Sequence, residues 1–256
     1  MSGGEGAPTI RRGAGGVRAR TSEAMAKLGG AQKSAVGVPA YLRYVNRRVG
    51  GWLAALGHGL GLTPNHLTAI SAACSAVGIA AIGLVDPSIA TGVLVALVLL
   101  LGYAFDSADG QLSRVRGGGG PSGEWLDHVV DMAKTGSLHA AVAVGLHRFA
   151  GFESEAWALV PLAFGVVNVT FFFGMLLRDQ LGGRPPRPDR PTSRGPGSPL
   201  RSFLLLPMDY GVLCATFVLL GAPRAFLVAY GALLLAMVGF TAQSFVKAYR
   251  SLVGTR

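Results

Sequence analysis

The sequence predicts an all-α, polytopic membrane protein with six transmembrane helices and an N-terminal amphipathic helix in the membrane interface. Half of the 256 residues are hydrophobic and only 14% are charged, compared with about 25% in soluble domains. Several long segments contain no Asp, Glu, Lys or Arg, and roughly 20 helical residues suffice to cross a bilayer core. Helices are expected because each satisfies its own backbone hydrogen bonds inside lipid.

Two segments of different character precede the apolar ones. Residues 1–37 are rich in Gly, Ala, Ser and basic residues, a composition that predicts a mostly disordered cytoplasmic tail. Residues 38–61 carry apolar side chains three and four positions apart, with Tyr41 and Trp52 among them and Arg43 nearby. This pattern favours an amphipathic helix at the level of the lipid headgroups. A helix packed on the rest of the protein is the alternative.

A six-helix transmembrane domain is predicted over residues 62–250. Its six apolar segments are 65–85, 88–105, 123–146, 156–177, 203–220 and 225–246. The third is apolar except near its start, and the fifth contains one charged residue, Asp209. Residues 251–256 are predicted to form a cytoplasmic C-terminal tail.

The basic residues of the loops predict the orientation in the membrane. The net charge is +10, and the side opposite the N-terminus holds only two basic loop residues, Arg148 and Arg224. Because positive loops mark the cytoplasmic side, we expect a protein of the cytoplasmic membrane with both termini inside. The same charge indicates contact with anionic lipid headgroups and not with nucleic acid.

One spaced pattern of acidic and small residues joins the second apolar segment to the third. It consists of Asp106, Asp109, Gly110, Ser113, Arg114, Gly123, Asp127 and Asp131. Spacings of three and four place each pair of aspartates on one helix face, and a Gly-rich turn makes the two helices antiparallel neighbours. Four converging carboxylates suit Mg²⁺ or Mn²⁺. Two such ions about 3.5–4 Å apart would clamp both oxygens of a phosphoryl displacement.

Two other interpretations of the acidic residues are weaker. Intramembrane ion pairs, such as Asp131 with Lys134 and Asp109 with Arg114, leave two cations against four carboxylates. A cation transporter is a remote alternative, because the first, fourth and sixth apolar segments offer no further polar sites for an ion that crosses the membrane. Each acidic residue inside a span costs about 2.5–3.5 kcal/mol, so bound dications remain the better explanation.

The pattern resembles the signature of the CDP-alcohol phosphotransferase family, which reads D-x2-D-G-x2-A-R-x8-or-more-G-x3-D-x3-D. Every spacing fits over residues 106–131. The one departure is Ser113, where the family usually has alanine. Serine is also small, so access for a nucleotide is expected to survive.

The resemblance implies a role for each residue of the pattern. Asp131 would complete the metal site and act as the general base that takes the proton from the acceptor hydroxyl. The other ligands of the two metal ions would be Asp106, Asp109 and Asp127. The CDP group would be bordered by Asp109, Gly110, Ser113 and Gly123, and held by Arg114. Members of the family are typically homodimers with the active site open to the cytoplasmic leaflet.

The expected reaction transfers a phosphatidyl group from CDP-diacylglycerol to a small polar alcohol or alcohol phosphate, releasing CMP. The alternative within the family has a CDP-linked small alcohol, a CDP-amino alcohol or CDP-inositol, as donor to a lipid or polyol. The segment 41–60 is somewhat similar to members of that second branch.

Two groups of residues outside the signature have more than one interpretation. Lys134, Arg178 and Arg201 are candidate ligands for a substrate phosphate. Lys134 would otherwise pair with an aspartate, and the two arginines would otherwise be ordinary cytoplasmic loop residues. Thr63 and Thr68, at the start of the first apolar segment, would either cap that helix or contact the nucleotide.

Overall fold

The computed structural model describes residues 14–30, 35–182 and 198–253, and within them it contains helices and no strand. The α-helices are α1 (Ala14–Gly30), α2 (Arg47–Leu60), α3 (Pro64–Leu84), α4 (Ile89–Val115), α5 (Pro121–Phe149), α6 (Leu159–Leu181), α7 (Pro199–Leu204), α8 (Tyr210–Thr216) and α9 (Pro223–Val253). A π-helical turn, Leu42–Asn46, leads into α2, and 3₁₀ turns occupy Glu155–Ala158, Leu206–Met208 and Phe217–Gly221. The predicted all-α class is therefore confirmed for the described residues.

Within the described part of the chain, four helical segments are long and apolar enough to cross a bilayer. They are α3, α4, α6 with the 3₁₀ turn before it, and α9, of 21 to 31 residues. Together they make this an integral membrane protein. Helix α5 is also long, with 29 residues, or about 43 Å at 1.5 Å per residue. It packs against α3 and α6. Charged residues near its start exclude it from the group of long apolar helices, so the prediction that it crosses the membrane stays a prediction.

The prediction of a single fifth helix over residues 203–220 is wrong. Helix α7 ends at Leu204, and a 3₁₀ turn that contains Pro207 separates it from α8. Proline removes a backbone donor and opposes a continuous helix. The side chain of Asp209 then accepts a hydrogen bond from the backbone N–H of Gly211 at 2.9 Å, which starts α8 anew.

The prediction of a disordered N-terminal tail is wrong for residues 14–30, which form α1. Ala24 and Leu28 are 1% and 5% exposed, because they pack against Ala54 and Ala55 of α2. Hydrophobic burial between the two helices thus orders a segment whose own composition is weakly helical. The predicted tail residues 1–13 and 31–34 lie outside the described residues.

Helix α2 has two faces of opposite character. Its small residues, among them Gly50 and Gly57, are buried against α4 and α3: a Cβ on Gly50 would lie 2.8 Å from the side chain of Ser107. Its outer face is an exposed apolar stripe of Val49, Trp52, Leu56 and Leu60, which Val45 of the preceding π-helical turn extends. Helix α2 lies within the segment 38–61, and the prediction of an amphipathic helix in the membrane interface stays a prediction.

Polar contacts tie this N-terminal unit to the bundle. The backbone N–H of Leu42 donates to Asp209 at 2.8 Å, and Asn46 donates to the carbonyl of Tyr103 at 3.2 Å.

At the other end of the chain, α9 continues to Val253, so the predicted C-terminal tail begins at least three residues too early. Residues 254–256 of that tail lie outside the described residues.

Candidate active site

A glycine turn joins α4 to α5, and both helices pack against α3. Gly117 and Gly118 have φ angles of 92° and 111°, which favour glycine, and the backbone N–H of Gly118 donates to the carbonyl of Ser113 at 2.9 Å. A Cβ on Gly119 would lie 2.8 Å from the Ser113 hydroxyl, so this glycine permits a close approach. Pro121 then opens α5 at a position where its missing N–H costs nothing.

Three carboxylates converge between the two helices. Asp106 of α4 and Asp127 and Asp131 of α5 each offer one oxygen, and these oxygens all lie within 4.8 Å of one another. All three side chains are half-buried. Like charges this close repel one another strongly where water is scarce, so the arrangement calls for a nearby cation.

Lys134 supplies one positive charge to this cluster. Its ammonium group lies 2.6 Å from a carboxylate oxygen of Asp106 and 2.6 Å from one of Asp131. It also donates to the hydroxyl of Ser71 at 3.4 Å. Of its two predicted roles, pairing with aspartates is therefore the one the structure shows, and the phosphate-ligand role stays a prediction.

Asp109 is placed differently from the other three aspartates. Its side chain is 5% exposed and accepts a hydrogen bond of 2.6 Å from the hydroxyl of Thr68 on α3. The expectation that all four carboxylates form one group is therefore borne out for three of them. Thr63 caps α3 together with His66, so Thr63 has the capping role and Thr68 contacts an acidic residue of the signature.

The small residues of the signature lie where α3, α4 and α5 approach one another. A Cβ on Gly123 would meet the side chain of Asn65 at 3.5 Å, and one on Gly110 would meet only Arg114, also at 3.5 Å. Both positions therefore leave room beside the backbone. Arg114 is half-buried, and its guanidinium marks the edge of this space.

The model of the CDP-alcohol phosphatidyltransferase family matches residues 61–242, which is more than half of the chain. The chain belongs to this family. No curated protein matches it. Members of the family are phosphotransferases for substituted phosphate groups that use CDP-alcohol donors, alcohol acceptors and divalent metals. Both α1 and α2, by contrast, precede the matched region.

The donor set of this phosphatidyltransferase fits a hard divalent cation. Carboxylate oxygens are the ligands that Mg²⁺ prefers, and opposed ligands of one such ion lie about 4.2 Å apart at about 2.1 Å each. The three aspartate oxygens, all within 4.8 Å of one another, are close to that spacing. The ammonium group of Lys134 lies beside two of these aspartates, Asp106 and Asp131.

The two predicted phosphate-binding arginines belong to α6 and α7. Arg178, near the end of α6, forms an ion pair with its neighbour Asp179. Arg201 is an exposed residue of α7. Most of the loop that joins them, residues 183–197, lies outside the described residues, so their role in this transferase stays a prediction.

A cavity of about 180 Å³ opens beside the carboxylates. Its lining residues are Ser75, Tyr103, Asp106, Asp131, Lys134, Thr135, Phe172 and Tyr210. Tyr103 precedes Asp106 on α4 and Thr135 follows Asp131 on α5, so the cavity extends away from the glycine turn. Sequence reasoning missed the hydroxyl-bearing residues of this wall, because no local signal links α3, α5 and α8.

Proposed function

We propose that this protein transfers the phosphatidyl group of CDP-diacylglycerol to a small polar alcohol or alcohol phosphate and releases CMP. The observation that carries the proposal is the convergence of the carboxylates of Asp106, Asp127 and Asp131 within 4.8 Å, in a chain that belongs to the CDP-alcohol phosphatidyltransferases. The cluster lies at the end of α4 that adjoins the glycine turn, where a nucleotide from water and a lipid from the bilayer can both arrive.

The metal ligands of the proposal are the three clustered aspartates together with Asp109. These residues would hold two divalent ions, which would supply positive charge to the phosphoryl oxygens and to the departing CMP. Thr68 fixes the Asp109 side chain through its short hydrogen bond, which holds that carboxylate beside the cluster. Gly110, Ser113 and Gly123 leave space for the CDP group, and Arg114 binds one of its phosphates in this proposal.

Asp131 is the general base of the proposal. Its carboxylate takes the proton of the acceptor hydroxyl, the acceptor oxygen forms a bond to the phosphatidyl phosphorus, and the bond from that phosphorus to CMP breaks. Contact with Lys134 keeps Asp131 oriented toward the cavity that both residues line. The same contact disperses the negative charge that the cluster would otherwise concentrate.

The cavity supports a small polar acceptor. Its volume of about 180 Å³ is below the roughly 300–1,000 Å³ of typical ligand pockets. Ser75, Tyr103, Thr135 and Tyr210 contribute hydroxyl-bearing side chains to its wall. Such groups pair with the hydroxyls of a polyol or amino alcohol better than with an acyl chain.

The proposal is tested by measuring CMP release from the purified full chain in Mg²⁺ or Mn²⁺. Asp131→Asn is expected to abolish release while the protein still folds. The matched control is Asp86→Asn, which makes the same chemical change at an exposed residue between α3 and α4 and is expected to leave release unchanged. Undiminished release by Asp131→Asn would overturn the assignment of the base.

The donor is tested separately with a panel of CDP compounds and small alcohols. CDP-diacylglycerol is expected to release CMP only when a small polar alcohol or alcohol phosphate is present. Release from a CDP-amino alcohol or CDP-inositol in the presence of diacylglycerol or a polyol, but not from CDP-diacylglycerol, would show that the donor and acceptor roles are reversed.

A further inference from the structure

An open groove of about 550 Å³ lies between the end of α1 and the start of α2. Three arginines, Arg43, Arg47 and Arg48, line it together with Tyr44, and no acidic residue among the described ones does. Met25, Leu28 and Trp52 are among the apolar residues of its walls. The groove is as large as a typical ligand pocket, which holds roughly 300–1,000 Å³.

The basic wall of the groove is suited to a phosphate group. Arg43 donates to the hydroxyl of Ser202 at 3.1 Å, and its guanidinium lies 5.0 Å from the ring centre of Tyr44, so its position is fixed from two sides. Arg47 is half-buried and Arg48 is exposed, one residue apart on the same helix. The planar guanidinium group binds phosphate oxygens in pairs, which favours arginine over lysine at such sites.

The apolar part of the groove continues into the outer stripe of α2. Trp52 is 66% exposed and Leu56 is 48% exposed, although both belong to a helix that is otherwise well packed. A contiguous exposed apolar surface marks a site that contacts a membrane or another molecule. The groove and the stripe together therefore present a cationic end and an apolar track along one helix.

This surface is distinct from the carboxylate cluster of the proposed catalytic site. Helix α4 meets α2 through Ser107 and Gln111, and Gln111 donates to the carbonyl of Arg47 at 2.9 Å. At 3.6 residues per turn, these two positions lie about 100° and about 140° around α4 from Asp106. The groove therefore opens on a different face of α4 from the one that carries Asp106, and its residues precede the part of the chain that the family model matches.

We propose that this groove binds an acidic phospholipid of the surrounding membrane as a resident ligand that is not a substrate. Its phosphate lies against Arg43, Arg47 and Arg48, and an acyl chain follows Trp52 and the outer stripe of α2. Charge complementarity selects an anionic headgroup, and the apolar track selects a lipid over a free phosphate. Bound there, the lipid holds α1 and α2 together at the membrane surface.

The test measures lipid binding to the full chain in an uncharged detergent, without CDP compounds. Native mass spectrometry counts the phosphatidylglycerol or phosphatidylcholine molecules retained at increasing lipid concentration. The variant Arg47→Gln/Arg48→Gln removes two groove cations. The matched control, Lys247→Gln/Arg250→Gln, removes two exposed cations near the end of α9. Trp52→Ala removes part of the apolar track without touching a charge.

Phosphatidylglycerol is expected to bind at least about tenfold more tightly than phosphatidylcholine, and the groove variant to lose about tenfold or more of that affinity. The control variant should bind like the wild type, and Trp52→Ala should retain less lipid. Equal binding of the two lipids, or an equal loss in the control, would overturn the proposal. So would displacement by inorganic phosphate, which indicates a free-phosphate site, or by CDP with Mg²⁺, which indicates the substrate site. Binding is scored without turnover, so it stands or falls independently of CMP release.

Discussion

Replacement of Lys134 by methionine tests whether this lysine neutralises carboxylates that a divalent ion would otherwise neutralise. In the structure its ammonium contacts Asp106 and Asp131 at 2.6 Å each, with side-chain exposures of 13%, 22% and 27% for the lysine and the two aspartates. Removing one partner of a buried ion pair costs about 3–5 kcal/mol. Partial exposure favours the lower end, and about 3 kcal/mol corresponds to a fall in Tm of roughly 6–12 °C.

The assay is thermal unfolding of the purified protein, followed with a thiol-reactive dye that reports the buried Cys214 as it becomes exposed. In EDTA, Lys134→Met should lower the Tm by the amount above. Saturating Mg²⁺ should recover most of the difference, because the ion neutralises the carboxylates that the lysine no longer contacts. Lys247→Met, at an exposed position of α9, controls for the loss of one charge. An equal deficit with and without Mg²⁺ would refute the reasoning.

Three further substitutions test particular contacts. Thr68→Val removes the donor to Asp109, so kcat/KM for CMP release should fall roughly tenfold to a hundredfold, whereas Thr68→Ser should stay near wild type. Gly145→Ala places a Cβ against the main chain of α3 and should destabilise the protein by about 1–3 kcal/mol, measured as a fall in Tm. Gly136→Ala, whose new Cβ would meet nothing nearer than 4.0 Å, should not destabilise the protein. An equal fall in Tm for the two variants would contradict the close packing at Gly145. Asp209→Ala removes a helix cap and should cost about 1–2 kcal/mol in unfolding free energy, and an unchanged Tm would show that this cap is dispensable.

The sequence predicted the long helices well because hydropathy and the absence of charge are local properties. It failed at residues 203–220, where the average hydropathy hides the break that Pro207 and Asp209 impose. It also failed at α1, whose Ala24 and Leu28 are ordered by partners on α2. In both cases the outcome depends on capping or on tertiary packing, which composition does not report.

The candidate site was predictable in its residues and less so in its geometry. The spacing of the signature placed Asp106, Asp127 and Asp131 on facing helix surfaces, and the structure brings their oxygens together. The hydrogen bond between Thr68 and Asp109 joins residues 41 positions apart in the sequence. It depends on how α3 packs against α4, which the sequence pattern does not show. Lys134 had two reasonable roles, and only the positions of two helices decide between them.

The proposed reaction depends on divalent ions that the acidic cluster would hold. Its most direct test is the binding of Mn²⁺ to the purified protein, followed by electron paramagnetic resonance without any substrate. We expect saturable binding that Asp127→Asn weakens at least about tenfold and that Asp86→Asn leaves unchanged. Equal Mn²⁺ binding by wild type and Asp127→Asn, or no saturable binding at all, would contradict the account.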